Sequence, residues 1–143
     1  MLANYPERIN ALWTVFLLGT LFHTDLGLMP LFHGQTVALS DAHGTANVLG
    51  ILWLMLAFFS FPLIAIIATT FTHSKRYRVI HFGFTVLYSV LNFLHVTLDL
   101  MVKPIAWYQI ALMIFLFGVG LLLNWVAWQW MNARKAIHTV ALR

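Results

Sequence analysis

Residues 79–102 read VIHFGFTVLYSVLNFLHVTLDLMV, and this stretch decides the fold. It contains no Lys or Arg and a single acidic residue, Asp99, while most of its side chains are apolar. A helix needs about 20 such residues to cross the roughly 30 Å hydrocarbon core of a bilayer. The sequence therefore predicts a transmembrane helix in this region.

The polar residues of this helix fall on one face, here called the polar stripe. At about 100° per residue they lie within an arc of roughly 80°; they are His81, Thr85, Tyr88, Asn92, His95 and Asp99. Lipid cannot satisfy the hydrogen bonds of polar groups, so such a stripe must face protein or water. We predict that the polar stripe is buried inside a helix bundle and that Phe82, Val86 and Phe93 face lipid or other helices.

Three further segments are long and apolar enough to span a bilayer: residues 10–29, 47–71 and 105–131. Apolar and aromatic residues make up 62% of the 143-residue chain and charged residues 8%, against about 25% charged in soluble domains. Lipid is therefore the predicted solvent. The chain is predicted to be an all-α membrane protein, a single domain (residues 1–143) folded as an antiparallel four-transmembrane-helix bundle with a loop over residues 30–46.

The basic residues predict the orientation of the bundle. Lys103 lies at one end of the predicted helices, and the other seven basic residues lie at the opposite end: Arg8, Lys75, Arg76, Arg78, Arg134, Lys135 and Arg143. Cytoplasmic loops of membrane proteins carry the excess of Lys and Arg, so both termini are predicted to be cytoplasmic. An aromatic belt is predicted at that face, made of Tyr5, Trp13, Trp125, Trp128 and Trp130. The predicted location is a bacterial inner membrane or its equivalent.

Charge and composition exclude several functions. The net charge of +4 comes from residues at helix ends rather than from a continuous basic face, so nucleic-acid binding is not expected. The absence of cysteine excludes disulfides, thiolate metal sites and cysteine nucleophiles. The predicted partners are the lipid bilayer and either further copies of the chain or a larger membrane complex.

Histidine and aspartate gather near the predicted outer face. His23 lies near the outer end of the first helix, His43 precedes the second, and His95 and Asp99 lie near the end of the third. Ionisable groups at membrane depth are costly and usually mark function. Imidazole and carboxylate suit Zn, Cu, Mn or Fe, so His23, His43, His95 and Asp99 are the predicted metal ligands. His81, Thr85, Tyr88 and Asn92 are the predicted supporting part of the polar stripe.

Haem b is the alternative cofactor, with His95 and either His23 or His43 as axial ligands. The 14-residue spacing of His81 and His95 resembles that of the haem-ligating helices of di-haem cytochromes b. The resemblance covers one helix, and no histidine lies between His43 and His73 to supply a matching pair in the second helix. It therefore implies at most a single outer haem.

The first functional hypothesis is a membrane protein that uses this metal or haem for redox or electron-transfer chemistry. One alternative is a non-catalytic accessory subunit whose histidines hydrogen-bond helices together, and another is a metal-dependent membrane enzyme acting on a lipid. Asp25 would point about 160° away from His23 on a continuous helix. We therefore expect either a helix break there, near Gly27 or Pro30, or a partner subunit facing Asp25.

Overall fold

A computed structural model of the chain describes residues 4–36 and 48–133, which form four helices and no strand. Helix α1 spans Tyr5–Phe32 and α2 spans Val48–Phe71. Helix α3 spans Lys75–Asp99 and α4 spans Trp107–Asn132. The prediction of an all-helical fold with four long helices is confirmed.

All four helices are long and apolar enough to cross a membrane. Most of their large apolar side chains are exposed, including Leu54 at 71%, Ile80 at 69% and Phe115 at 59%. A soluble protein would bury such side chains, whereas lipid solvates them without cost. The helices therefore fit a lipid bilayer and indicate an integral membrane protein.

Helix α1 is longer than predicted and contains no break. It begins five residues before residue 10 and continues past Pro30, which lies in its last turn. Its end is set by Gly34, whose φ of 71° provides the left-handed position that commonly follows a helix C-terminus. The predicted break near Gly27 or Pro30 is therefore wrong. Pro30 belongs to the helix rather than to the loop.

Helix α3 also begins earlier than predicted, at Lys75 rather than at residue 79. The Ser74 hydroxyl accepts a hydrogen bond from the Tyr77 N–H at 3.2 Å, which caps the helix N-terminus. Lys75, Arg76 and Arg78 thus lie in the first turn of α3 and not in a loop. A count of apolar residues ends at the basic residues and therefore placed the start of α3 too late. A helix can continue beyond its apolar part, because basic side chains suit the headgroup layer.

Helices α1, α3 and α4 form the tightly packed part of the bundle. Their core is built from large side chains on α1 and α4, including Trp13, Phe16, Met113, Leu116 and Leu123. Helix α2 lies at the periphery, and its residues 49–56 are all exposed. This half of α2 leaves one side of the bundle loosely covered.

The half of the polar stripe from His81 to Tyr88 is buried in protein, as predicted. His81 is 2% exposed, Thr85 1% and Tyr88 4%. The Trp13 indole N–H donates to His81 Nε2 at 3.1 Å, and Trp13 itself is fully buried. The assignment of Trp13 and Trp130 to an interfacial belt is therefore wrong, because both rings pack around His81 in the core.

Tyr88 connects α3 to a defect in α2. Its hydroxyl donates to the carbonyl of Phe58 at 2.8 Å. In a regular helix that carbonyl would accept from the N–H of residue 62, but Pro62 has none. The phenol therefore satisfies the one carbonyl that Pro62 deprives of its helical partner.

Arg78 connects α3 to the end of α4. Its guanidinium donates to the carbonyls of Trp130 and Ala133 at 3.2 and 3.1 Å, and it lies 5.3 Å from the centre of the Trp130 ring. The last carbonyls of a helix lie beyond its regular hydrogen-bonding pattern, and that of Trp130 also accepts the Ala133 N–H at 3.3 Å. A cation is favoured at this end of a helix by the helix dipole. Arg78 is thus a helix cap as well as a basic residue at the membrane surface.

Candidate metal centre

Side chains of α1 and α3 bring three potential metal ligands together. His95 and Asp99 are four residues apart on α3, so they project from the same face one turn apart. His23 approaches them from α1, and its ring centre lies 5.4 Å from that of His95. Within the described part of the chain this is the one group of at least three His, Cys, Asp or Glu residues close enough to hold an ion.

The three ligand atoms form a nearly equilateral triangle. His23 Nε2 lies 3.4 Å from His95 Nε2 and 3.5 Å from Asp99 Oδ2. His95 Nε2 lies 3.6 Å from the same carboxylate oxygen. Protein hydrogen bonds are usually 2.7–3.2 Å long, so the three atoms face one another at more than the usual bonding distance.

The triangle matches the edges of a coordination tetrahedron. Ligands at about 2.0–2.2 Å from a tetrahedral ion lie roughly 3.3–3.6 Å from one another. Adjacent ligands of an octahedral ion are closer, at about 3.0 Å. Two axial haem ligands would be about 4 Å apart with the porphyrin between them. The Asp99 carboxylate lies in the space that the porphyrin would need. The geometry therefore favours a single ion over haem.

The site is only partly enclosed. The exposed fraction of the side chain is 12% for His23, 23% for Asp99 and 51% for His95. We expected His95 to be buried with the rest of the polar stripe, and this expectation is wrong. Residues 49–56 of α2 are themselves all exposed, and the His95 ring stays half accessible.

A cavity of about 520 Å³ adjoins the triangle. Both imidazoles line it, together with Asn92, and its other walls are mainly apolar side chains of α2 and α3. Asn92 is 5% exposed, and its Oδ1 atom has no hydrogen-bond partner among the described residues. The site thus combines a set of ligands with an adjoining apolar space.

Comparison of the chain with protein-family models, with curated proteins and with solved structures gave no match. What the site does is therefore argued from its geometry.

The other predicted residues have different places. His43 lies outside the described residues, so its role as a ligand stays a prediction. His33 is exposed beyond the end of α1, and Asp25 is exposed on a different face of α1 from His23. His81 uses Nε2 to accept from Trp13 in the core, far along α3 from His95, and Thr85 and Tyr88 donate to backbone carbonyls.

Several features of the candidate site could not be read from the sequence. Leu54, Met55 and Phe58 line the cavity from α2, yet in the sequence they look like any other residues of an apolar helix. Asn92 was named as a supporting residue because of its place in the polar stripe. Its unpartnered oxygen becomes evident only when the packing of α1 and α2 is known.

Proposed function

We propose that this chain is a membrane protein that binds one transition-metal ion, best matched by Zn²⁺, through His23, His95 and Asp99. The observation that carries the proposal is the triangle of ligand atoms with edges of 3.4, 3.5 and 3.6 Å. Those lengths agree with tetrahedral coordination, the geometry that Zn²⁺ adopts with histidine and carboxylate ligands.

Three protein ligands would leave one position of a tetrahedral ion open. Catalytic zinc sites have this composition, in which water or substrate takes the fourth position and is polarised by the ion. Zn²⁺ has no redox chemistry, so this proposal replaces the electron-transfer role first expected from the sequence. Among the sequence-level alternatives, a metal-dependent protein that acts on a lipid fits the site best.

We further propose that consecutive helices run antiparallel and that the site lies near the extracytoplasmic face. Contacts between α3 and α4 pair Arg78 with Trp130 and Phe93 with Phe117, so the numbers rise on one helix as they fall on the other. The end of α3 that carries Arg78 also carries Lys75 and Arg76. The positive-inside rule then assigns that end to the cytoplasm and the His23–His95 end to the other side.

Metal content of the purified protein in phospholipid nanodiscs tests the proposal. We expect about one Zn²⁺ per chain, or its full uptake after chelation and addition of ZnCl₂. His95→Ala should weaken binding by more than about 100-fold, because changes to groups that merely support a ligand already cost 10–100-fold. His33→Ala is the matched control, since it removes an exposed imidazole at the end of α1, and it should bind normally.

Two further measurements make the result decisive. Co²⁺ in place of Zn²⁺ should give the strong visible absorption of a tetrahedral ion, and His43→Ala should keep the stoichiometry if three ligands suffice. Far-UV circular dichroism should show an intact His95→Ala bundle, because this side chain is half exposed. Full metal retention by that variant, or a Soret band in the wild type, would overturn the proposal.

A structural role is the second candidate function. The 3.4 Å between His23 and His95 lies within reach of a weak hydrogen bond, which would join α1 to α3 as in an accessory subunit of a larger complex. This role requires no metal. A wild-type protein that takes up no divalent ion, together with a His95→Ala variant that loses stability, would support it instead.

A further inference from the structure

The cavity beside the metal ligands has the size of a ligand pocket. Its volume of about 520 Å³ falls within the roughly 300–1,000 Å³ typical of small-molecule sites. It lies between α1, α2 and α3, and it extends from His23 and His95 toward Phe58 and Met113. A molecule in it could therefore reach the ligand triangle with one end.

The walls of the cavity border the membrane. Leu54, Leu94 and Leu98 line it, and they are 71%, 51% and 60% exposed. Because these residues belong to helices that are long and apolar enough to span a membrane, hydrocarbon is the medium that their exposed surfaces fit. An apolar chain could pass between them from the bilayer without crossing water. A polar metabolite entering by this route would have to leave water for hydrocarbon, which costs free energy. The expected occupant is thus a lipid chain.

Asn92 indicates what else the occupant carries. Its carboxamide is buried and lines the cavity, and its Oδ1 has no partner among the described residues. Buried acceptors are nearly always hydrogen-bonded, so a donor is expected there. The two threonines of the cavity wall do not supply it, since Thr20 donates to the Phe16 carbonyl and Thr24 to the Thr20 carbonyl.

Resting on the metal site proposed above, we infer that the cavity binds one acyl chain of a lipid with a two-point head. An oxygen of the head takes the open position of the metal ion. A hydroxyl or amide N–H donates to Asn92, which lies three residues before His95 and hence about 5–6 Å away along the same face of α3. A 3-hydroxy fatty acid and an N-acylated amino acid both have this chemistry.

Photolabelling in nanodiscs tests the inference. Three probes carry a diazirine near the end of the chain: hexadecanoate, 3-hydroxyhexadecanoate and N-tetradecanoylglycine. The two probes that carry a donor should label Met55 and Phe58 more strongly than hexadecanoate does, by about 2- to 12-fold, the range expected for one net hydrogen bond. Which of the two labels more strongly distinguishes a hydroxyl from an amide source.

Matched variants locate the binding. Leu91→Trp fills the cavity and should abolish labelling, whereas Leu87→Trp, one turn away and outside the cavity lining, should not. Asn92→Leu should lower labelling by the donor-bearing probes to the level of hexadecanoate. All three variants should keep the bound metal, because none of these residues is a proposed ligand.

The outcomes separate this inference from the proposed metal site. Two results with metal-loaded protein would overturn the lipid inference and leave the metal site standing. One is equal labelling of the wild type and Leu91→Trp, and the other is labelling only on surfaces outside the cavity. Protein that takes up no metal overturns the proposed function, and with it the two-point head. Equal labelling by all three probes in the wild type overturns the role given to Asn92.

Discussion

Removing the Tyr88 hydroxyl should destabilise the bundle through a carbonyl on a different helix. Tyr88→Phe deletes the donor that bonds the Phe58 carbonyl at 2.8 Å, and Pro62 offers no N–H to replace it. An unsatisfied buried polar group costs about 1–3 kcal/mol, and side-chain hydrogen bonds in membrane proteins contribute about 0.6 and at most roughly 1.7 kcal/mol. We expect a loss of about 1–1.5 kcal/mol.

A double-mutant cycle with Pro62→Ala isolates the cause. The alanine restores an N–H that can bond the Phe58 carbonyl within α2, so Tyr88→Phe should cost only about 0.5 kcal/mol in that background. The coupling between the two sites should thus be about 0.5–1 kcal/mol. Effects of Pro62→Ala on helix propensity and packing cancel in the cycle, because they are present on both sides of it.

The free energy of unfolding can be measured by SDS titration from mixed micelles, followed by far-UV circular dichroism. Tyr77→Phe is a useful control, because its hydroxyl contacts Thr69 and the Ala65 carbonyl, which has a helical donor of its own. It should cost about 0.6 kcal/mol in either background. A Tyr88→Phe cost that is the same with and without the Pro62→Ala substitution would refute the reasoning.

Two predictions concern helix packing and topology. Gly120→Ala would bring a Cβ to 3.0 Å from Ser89 Oγ, which accepts a hydrogen bond from Asn124, whereas a Cβ at Gly118 meets nothing within 4 Å. In the same SDS titration, the free energy of unfolding of Gly120→Ala should be about 1–3 kcal/mol lower than that of Gly118→Ala. Equal stabilities of the two variants would contradict this packing. Reporter fusions after residues 75 and 143 should report a cytoplasmic location, and a fusion within residues 34–41 should report an external location. A cytoplasmic signal from the fusion within residues 34–41 would reverse the proposed orientation.

The number of helices could be predicted from the sequence because each span carries its own signal. Hydropathy over about 20 residues depends on one segment alone. The bounds were less accurate, since α1 ends at a left-handed glycine and α3 begins at the Ser74 cap. Those ends are determined by hydrogen bonding of a few residues, which hydropathy does not measure.

The site was predictable in part. Counting residues from the helix ends placed His23 and His95 at similar depth, and the structure brings their Nε2 atoms to 3.4 Å. The half-exposed state of His95 could not be predicted, because it depends on how far α2 stands from α3. The same applies to the bond between Trp13 and His81, which depends on how the two helices are rotated against each other.

The two halves of the polar stripe have different surroundings, and this difference bears on function. In the half from His81 to Tyr88, Thr85 and Tyr88 donate to carbonyls and His81 accepts from Trp13. Although His81 Nδ1 has no partner among the described residues, no group of three potential ligands among them includes His81. Near the other end, buried oxygens of Asn92 and Asp99 lack hydrogen-bond partners among those residues, and the His95 ring is half exposed.

A polar stripe needed only for helix association would be hydrogen-bonded along its whole length, since unsatisfied groups weaken the bundle that they should hold together. The half from Asn92 to Asp99 departs from this at two buried oxygens, and Asn92 and His95 of this half line the cavity. His81 Nδ1 in the other half is also unpartnered among the described residues, but His81 belongs to no group of three potential ligands there. Potential ligands with unpartnered atoms, an accessible imidazole and an apolar space thus occur together at one end of the bundle. Their combination is what a metal centre for a lipid ligand requires, and it supports placing function at His95 rather than at His81.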